Sequence, residues 1–94
     1  MCDDMNVEDV LDRIHEMNEK ALYPTDLKGA VIGVLERFGQ EPLVLLDKEK
    51  CLKIYMDRDG MTYEEAIEFF EFNVLGAWVG EGTPCFATLN DDLI

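Results

Sequence analysis

The chain has 94 residues, of which 21 are acidic and 8 basic, giving a formal net charge of −13. A hydrophobic content of 48% excludes a disordered acidic tail, and a chain of this length folds as one domain that buries roughly 65% of its unfolded surface. The charge argues against direct binding to nucleic acid, whose phosphates are met by Lys and Arg, and favours a basic protein partner drawn in by electrostatic steering.

The first predicted element is an amphipathic helix. Val7, Val10, Leu11, Ile14, Met17 and Ala21 recur at helical spacing behind Asn6, a good N-cap, with Asp9 placed where the helix dipole favours negative charge. Tyr23 precedes Pro24 and is pushed out of the helical region, so the helix is expected to end around Leu22. Residues 30–38 fit either a short helix or a strand; Val31, Ile32, Val34 and the internal Gly33 favour the strand. Gly39-Gln40-Glu41-Pro42 reads as a turn and Leu43-Val44-Leu45-Leu46 as a second, antiparallel strand.

Asp47 is placed to cap a helix over Lys48 to Arg58 that turns Leu52, Tyr55 and Met56 inward, and Gly60 ends it. Thr62 and Glu65 then stand in capping-box register at the start of another helix. That helix is expected to run to about Val79, with a core stripe of Ala66, Ile67, Phe70, Val74, Ala77 and Trp78, and with Gly80 and Gly82 breaking it. Cys85 to Leu89 reads as a last short strand, and residues 1–5 and 90–94 as frayed ends. The expected fold class is α+β, a small antiparallel sheet of about three strands packed on one face by about three helices, in the order α-β-β-α-α-β.

Four stretches of the last two-thirds of the chain carry a resemblance: Glu36-Arg37-Phe38-Gly39, Asp47 to Cys51, Gly60 to Ala66, and Phe72 to Pro84. Together they resemble a group of small acidic proteins from bacteriophages and prophage regions. The resemblance leaves out the first helix. It implies a phage or mobile-element accessory protein, and it brings no activity, ligand or catalytic residue with it.

The motifs that would carry chemistry are each incomplete. If Gly60 is placed sixth in a calcium loop, Tyr55 and Ala66 fall where carboxylates are required. Asp12, His15, Glu16 and Glu19 share neighbouring turns, with Glu68 or Glu71 as conceivable further ligands, yet an acidic solvent face produces such spacing by chance. Gly80-Glu81-Gly82 follows a helix and carries a charge that repels phosphate. Cys2, Cys51 and Cys85 form no C-x-x-C pair, and Cys51 and Cys85 lie in apolar segments that hold thiols protonated. An enzyme or a carboxylate–histidine metal protein is therefore disfavoured, and no catalytic residue, metal ligand or cofactor is assigned.

The acidic helix faces remain. Glu8, Asp12 and Glu16 line one side of the first helix, with Glu19 beyond them, and Glu64, Glu68 and Glu71 line one side of the last. Lys48, Lys50 and Lys53 lie apart from them on the intervening helix. The bland reading is a solvated surface; the functional one is a non-enzymatic accessory protein that engages a basic partner through these carboxylates. The alternative is a homo-oligomeric assembly component, a homodimer for instance, with Phe69 and Phe72 as contacts. Reduced thiols and an acidic start without an apolar leader segment lead to the expectation of a cytoplasmic protein, with no membrane association.

Self-repulsion on so small a surface opposes compaction and is screened beyond about 10 Å at 0.1 M salt. The melting temperature should therefore rise between low salt and about 0.5 M, by roughly 4–8 °C for each kcal/mol regained. A flat profile in differential scanning calorimetry would remove the argument.

Overall fold

Asp47, Gly60 and Thr62 divide the second half of the chain into helices, and each acts through its own chemistry. In the computed structural model, which describes residues 7–76 and 80–93, the Asp47 side chain accepts a hydrogen bond from the Glu49 N–H at 3.0 Å and opens α2, Lys48–Asp59. Gly60 ends it in the left-handed region at φ 70°, its N–H reaching the Met56 carbonyl at 3.1 Å, a conformation that costs glycine no Cβ clash. Thr62 starts α3, Tyr63–Phe70. The Glu65 N–H donates to Thr62 Oγ1 at 3.1 Å and the Thr62 N–H to Glu65 Oε1 at 2.9 Å, so both halves of the expected capping box are made.

Upstream, α1 spans Val7–Met17, five residues short of the expected end; its proposed cap, Asn6, lies outside the described residues. Asn18 is the reason for the early stop. Its Oδ1 accepts from the Lys20 N–H at 3.1 Å and its Nδ2 donates to the Pro42 carbonyl at 2.9 Å. This side chain offers the backbone an alternative to helix. Ala21 is still buried, but in a loop, and Met17 is exposed. A 3-10 segment, Thr25–Ala30, follows Pro24, and its spacing of three turns Leu27 and Ala30 into the core.

The hairpin consists of β1, Val31–Arg37, and β2, Gln40–Asp47. It is longer than expected, because the loop is only Phe38-Gly39, with Gly39 at φ 82°. Pro42 is accommodated within β2 where the register slips between Leu35 and Arg37, a bulge that needs no N–H from proline. The third strand, β3, spans Cys85–Ala87 and pairs with β2 in parallel, Leu45 opposite Cys85 and Leu46 opposite Phe86. The sheet, ordered β1-β2-β3, is thus mixed rather than antiparallel throughout, since a connection through helices is the kind that joins parallel strands. The α+β class and the order α-β-β-α-α-β are as expected.

The core is one cluster. Leu11 and Ile14 of α1, Leu27 of the 3-10 segment, Val44 and Leu46 of β2, Leu52 and Tyr55 of α2, and Ala66 and Phe70 of α3 are all buried in it, with Ile67, Val74 and Phe86 packed against it. Beyond Phe70 the helix widens into a π turn, Glu71–Leu75, that ends at Gly76. There Asn73 Nδ2 donates to the Phe69 carbonyl at 3.2 Å, the acceptor that a regular helix keeps for a backbone N–H. Ala77, Trp78 and Val79, expected to extend this helix, lie outside the described residues. A last 3-10 turn, Asn90–Asp92, occupies the segment expected to fray.

Because the capping box satisfies two amides at the start of α3, Thr62→Ala should cost about 1 kcal/mol. Urea denaturation of the variant checks this; a neutral result would mean that the α3 start is held by packing alone.

Candidate functional site

The carboxylates that the sequence singles out form two patches. On α3 and the π turn that continues it, Glu64, Glu68 and Glu71 are all exposed and line one shallow depression together with Glu65, Ile67 and Phe72. Ala66 and Phe70 point inward at the intervening positions, so helical periodicity turns the acidic stripe to solvent. The Glu64 and Glu68 carboxylates have no ion pair or hydrogen bond among the described residues, whereas that of Glu71 lies 4.0 Å from Lys48 Nζ. The expected separation of the α2 lysines from the stripe therefore fails at Lys48, which also stands 5.9 Å over the Phe70 ring.

On α1, Glu8, Asp12 and Glu16 are exposed. Glu8 is engaged by Lys28, which holds its carboxyl below the usual range through a hydrogen bond and charge attraction. Because α1 packs on the hairpin and α3 on α2, the six carboxylates are not brought into one site. His15 plays a structural part, for its Nε2 lies 2.9 Å from the Ala21 carbonyl and closes the loop after α1. Among the described residues, no three acidic, histidine or cysteine side chains are grouped to hold a metal.

The two aromatic residues offered as oligomer contacts differ. Phe72 is 79% exposed, but Phe69, at 38%, meets Tyr55 edge-on with ring centroids 5.0 Å apart and belongs partly to the chain's own core. Phe38, at the hairpin tip, is fully exposed. The sequence expectation put Phe38 at the end of the segment 30–38, with the turn after it; pairing of Arg37 with Gln40 moves Phe38 into the turn, where it has no core to enter.

Sequence reasoning also missed a cleft of about 480 Å³ beside Phe69. Its lining joins Leu22, Tyr23 and Pro24 to Tyr55, Phe69, Val74, Pro84 and Phe86, with Asp26, Asn73 and Thr83 as polar members. Gly82 makes the cleft possible. The Leu22 N–H donates to the Gly82 carbonyl at 2.9 Å, and a Cβ on Gly82 would fall 1.9 Å from the Lys20 carbonyl oxygen. Only glycine allows the two loops this approach. Arg58 borders the region, 3.4 Å from Asp26, paired with Asp59 at 2.8 Å, and 5.6 Å over the Tyr55 ring.

Comparisons with protein families, with curated proteins and with solved structures find no match for this chain. No helix of the described residues is long and apolar enough to cross a membrane.

Burial, and then the nearby charges of Asp47 and Asp26, push the Cys51 thiol up to about 12; burial also raises Cys85. A thiol whose folded pKa exceeds its unfolded value contributes stability that is fully present below the unfolded pKa, about 9, and is lost as pH climbs toward 12. Its reactivity follows the same sign. In a Cys2→Ser variant at pH 8, a disulfide reagent should modify Cys51 about 100-fold or more slowly in the native state than in urea, with Cys85 reacting first. Rapid labelling of native Cys51 would contradict this burial.

Proposed function

We propose that the protein is a small, non-enzymatic accessory protein that engages a basic partner protein through the acidic outer face of α3. The observation that carries this reading is the α3 depression, where Glu64 and Glu68 have no cation among the described residues and stand beside the exposed ring of Phe72. A partner that brings Lys or Arg to these carboxylates and an apolar group over Phe72 would match the surface in both charge and hydrophobicity. The α1 stripe adds long-range attraction rather than contact, since Glu8 already has Lys28. The phage-type context implied by the sequence motifs suits an accessory protein that acts by binding. The cytoplasmic location is part of the same proposal.

A second reading, a homo-oligomeric assembly component, is favoured by the exposure of Phe72 and Phe38. Sedimentation velocity separates the two readings, because an apolar dimer persists at high salt while a charge-led complex does not.

Reversing Glu64, Glu68 and Glu71 to Lys should abolish salt-sensitive capture of the basic partner and leave the fold standing. The three positions are exposed, where a substitution shifts stability by about 0.5 kcal/mol or less; the loss of the Lys48 contact makes Glu71 the most costly of them. The association rate should fall by about tenfold or more at low salt, because steering acts on encounter. Surface plasmon resonance at two salt concentrations checks this, and unchanged binding would reduce the stripe to a solvated face.

A further inference from the structure

The apolar cleft is not used by the acidic stripe, yet the two are continuous along α3. Phe69 and Asn73 border the cleft and also line a groove with Met61, Glu65, Glu68 and Phe72, and Glu68 and Phe72 continue into the depression that holds Glu64 and Glu71. A segment lying along the helix would pass from an apolar hollow onto a row of carboxylates within a few residues. We propose that the cleft receives one bulky apolar side chain of a basic peptide segment whose Lys or Arg residues meet α3. This inference rests on the reading of α3 as a partner-facing surface.

Three observations specify that occupant. A volume of about 480 Å³ lies within the range of pockets that enclose most of a small ligand's surface, so one Leu, Met or Phe side chain fits with room to settle. Leu22, Pro24, Phe69, Val74 and Phe86 supply the lining, and a cation pushed among them would lose its hydration without a partner at depth. The anchor is therefore apolar. The charge beside it selects against an acidic segment: Arg58 already pairs with Asp26 at the cleft, so the Glu65–Glu68 groove that adjoins it sets the local sign. A pre-formed hollow bordered by charges is the usual setting for a binding hot spot, since little ordering opposes the insertion. The pre-forming contacts are the Leu22–Gly82 hydrogen bond and the edge-on packing of Phe69 on Tyr55.

The test uses the full chain and two synthetic peptides of equal length and equal positive charge, one pairing Lys with Leu and the other Lys with Ala. Fluorescence anisotropy at low salt should show the Lys–Leu peptide binding about tenfold or more tightly, the factor that burial of one large apolar side chain supplies. Its amide shift changes should include Leu22, Tyr23, Asn73, Val74, Thr83, Cys85 and Phe86, which the Lys–Ala peptide leaves unmoved. Leu22→Gln and Phe69→Gln, both at half-exposed positions, should remove the Leu-dependent gain and keep the Lys–Ala affinity; their amide spectra establish that they fold. Equal affinity of the two peptides, or a gain that survives both substitutions, overturns the cleft as an anchor site and leaves the α3 reading standing. If the Lys–Ala peptide shows no salt-dependent binding, both fall.

Discussion

The burial of Phe70 is the contact on which the rest of the arrangement depends. Its ring is fully buried and meets Phe86 of β3 edge-on, with centroids 5.0 Å apart, while Lys48 at the start of α2 lies over it. One side chain thus ties α3 to the sheet and to the opening of α2. Removing such a ring from a packed core costs roughly 3–5 kcal/mol, a large part of the stability of a domain this small. With Phe70 pointing inward, the helical period leaves Glu64, Glu68 and Glu71 no direction but outward.

The electrostatics follow from that orientation. Among the described residues, Lys28 pairs with Glu8, Arg58 with Asp59 and Asp26, and Lys48 reaches Glu71. Other carboxylates are placed where the backbone welcomes negative charge, at the starts of α1, α2 and α3, so part of the surplus supports the helices. Asp47 is the one buried charged residue of the described chain, and its carboxylate accepts a backbone N–H. Among the described residues the Glu64 and Glu68 side chains have no ion pair, Glu64 having the α3 start for support and Glu68 only solvent.

The cleft comes from a different constraint, the contact between the loop after α1 and the loop before β3. Asn18 stops α1 early and binds Pro42, His15 reaches Ala21, and Gly82 lets the Leu22 N–H reach its carbonyl. These contacts hold Leu22, Tyr23 and Pro24 beside α3 instead of letting α1 continue. The resulting hollow is apolar because its lining comes from core-facing residues such as Tyr55 and Phe86, and it adjoins charge because the outer face of α3 begins at Phe69.

Much of this was legible in the chain itself. The Asp47 cap, the Gly60 terminator, the Thr62–Glu65 box, the inward Leu52, Tyr55, Ala66 and Phe70, and the outward α3 stripe all follow from neighbours within four residues, where capping chemistry and helical period act alone. The position of Glu71 beside Lys48, the parallel docking of β3, the early end of α1 at Asn18 and the sharing of Phe69 between core and surface depend on residues distant in sequence. The cleft shows the division most plainly. Leu22, Tyr55, Phe69 and Phe86 each read as ordinary apolar residues of their own segments. Only tertiary packing, through a glycine small enough to admit the Lys20 backbone, brings them around one hollow, because local periodicity sets which way a side chain faces and carries no information about which other segment it will meet.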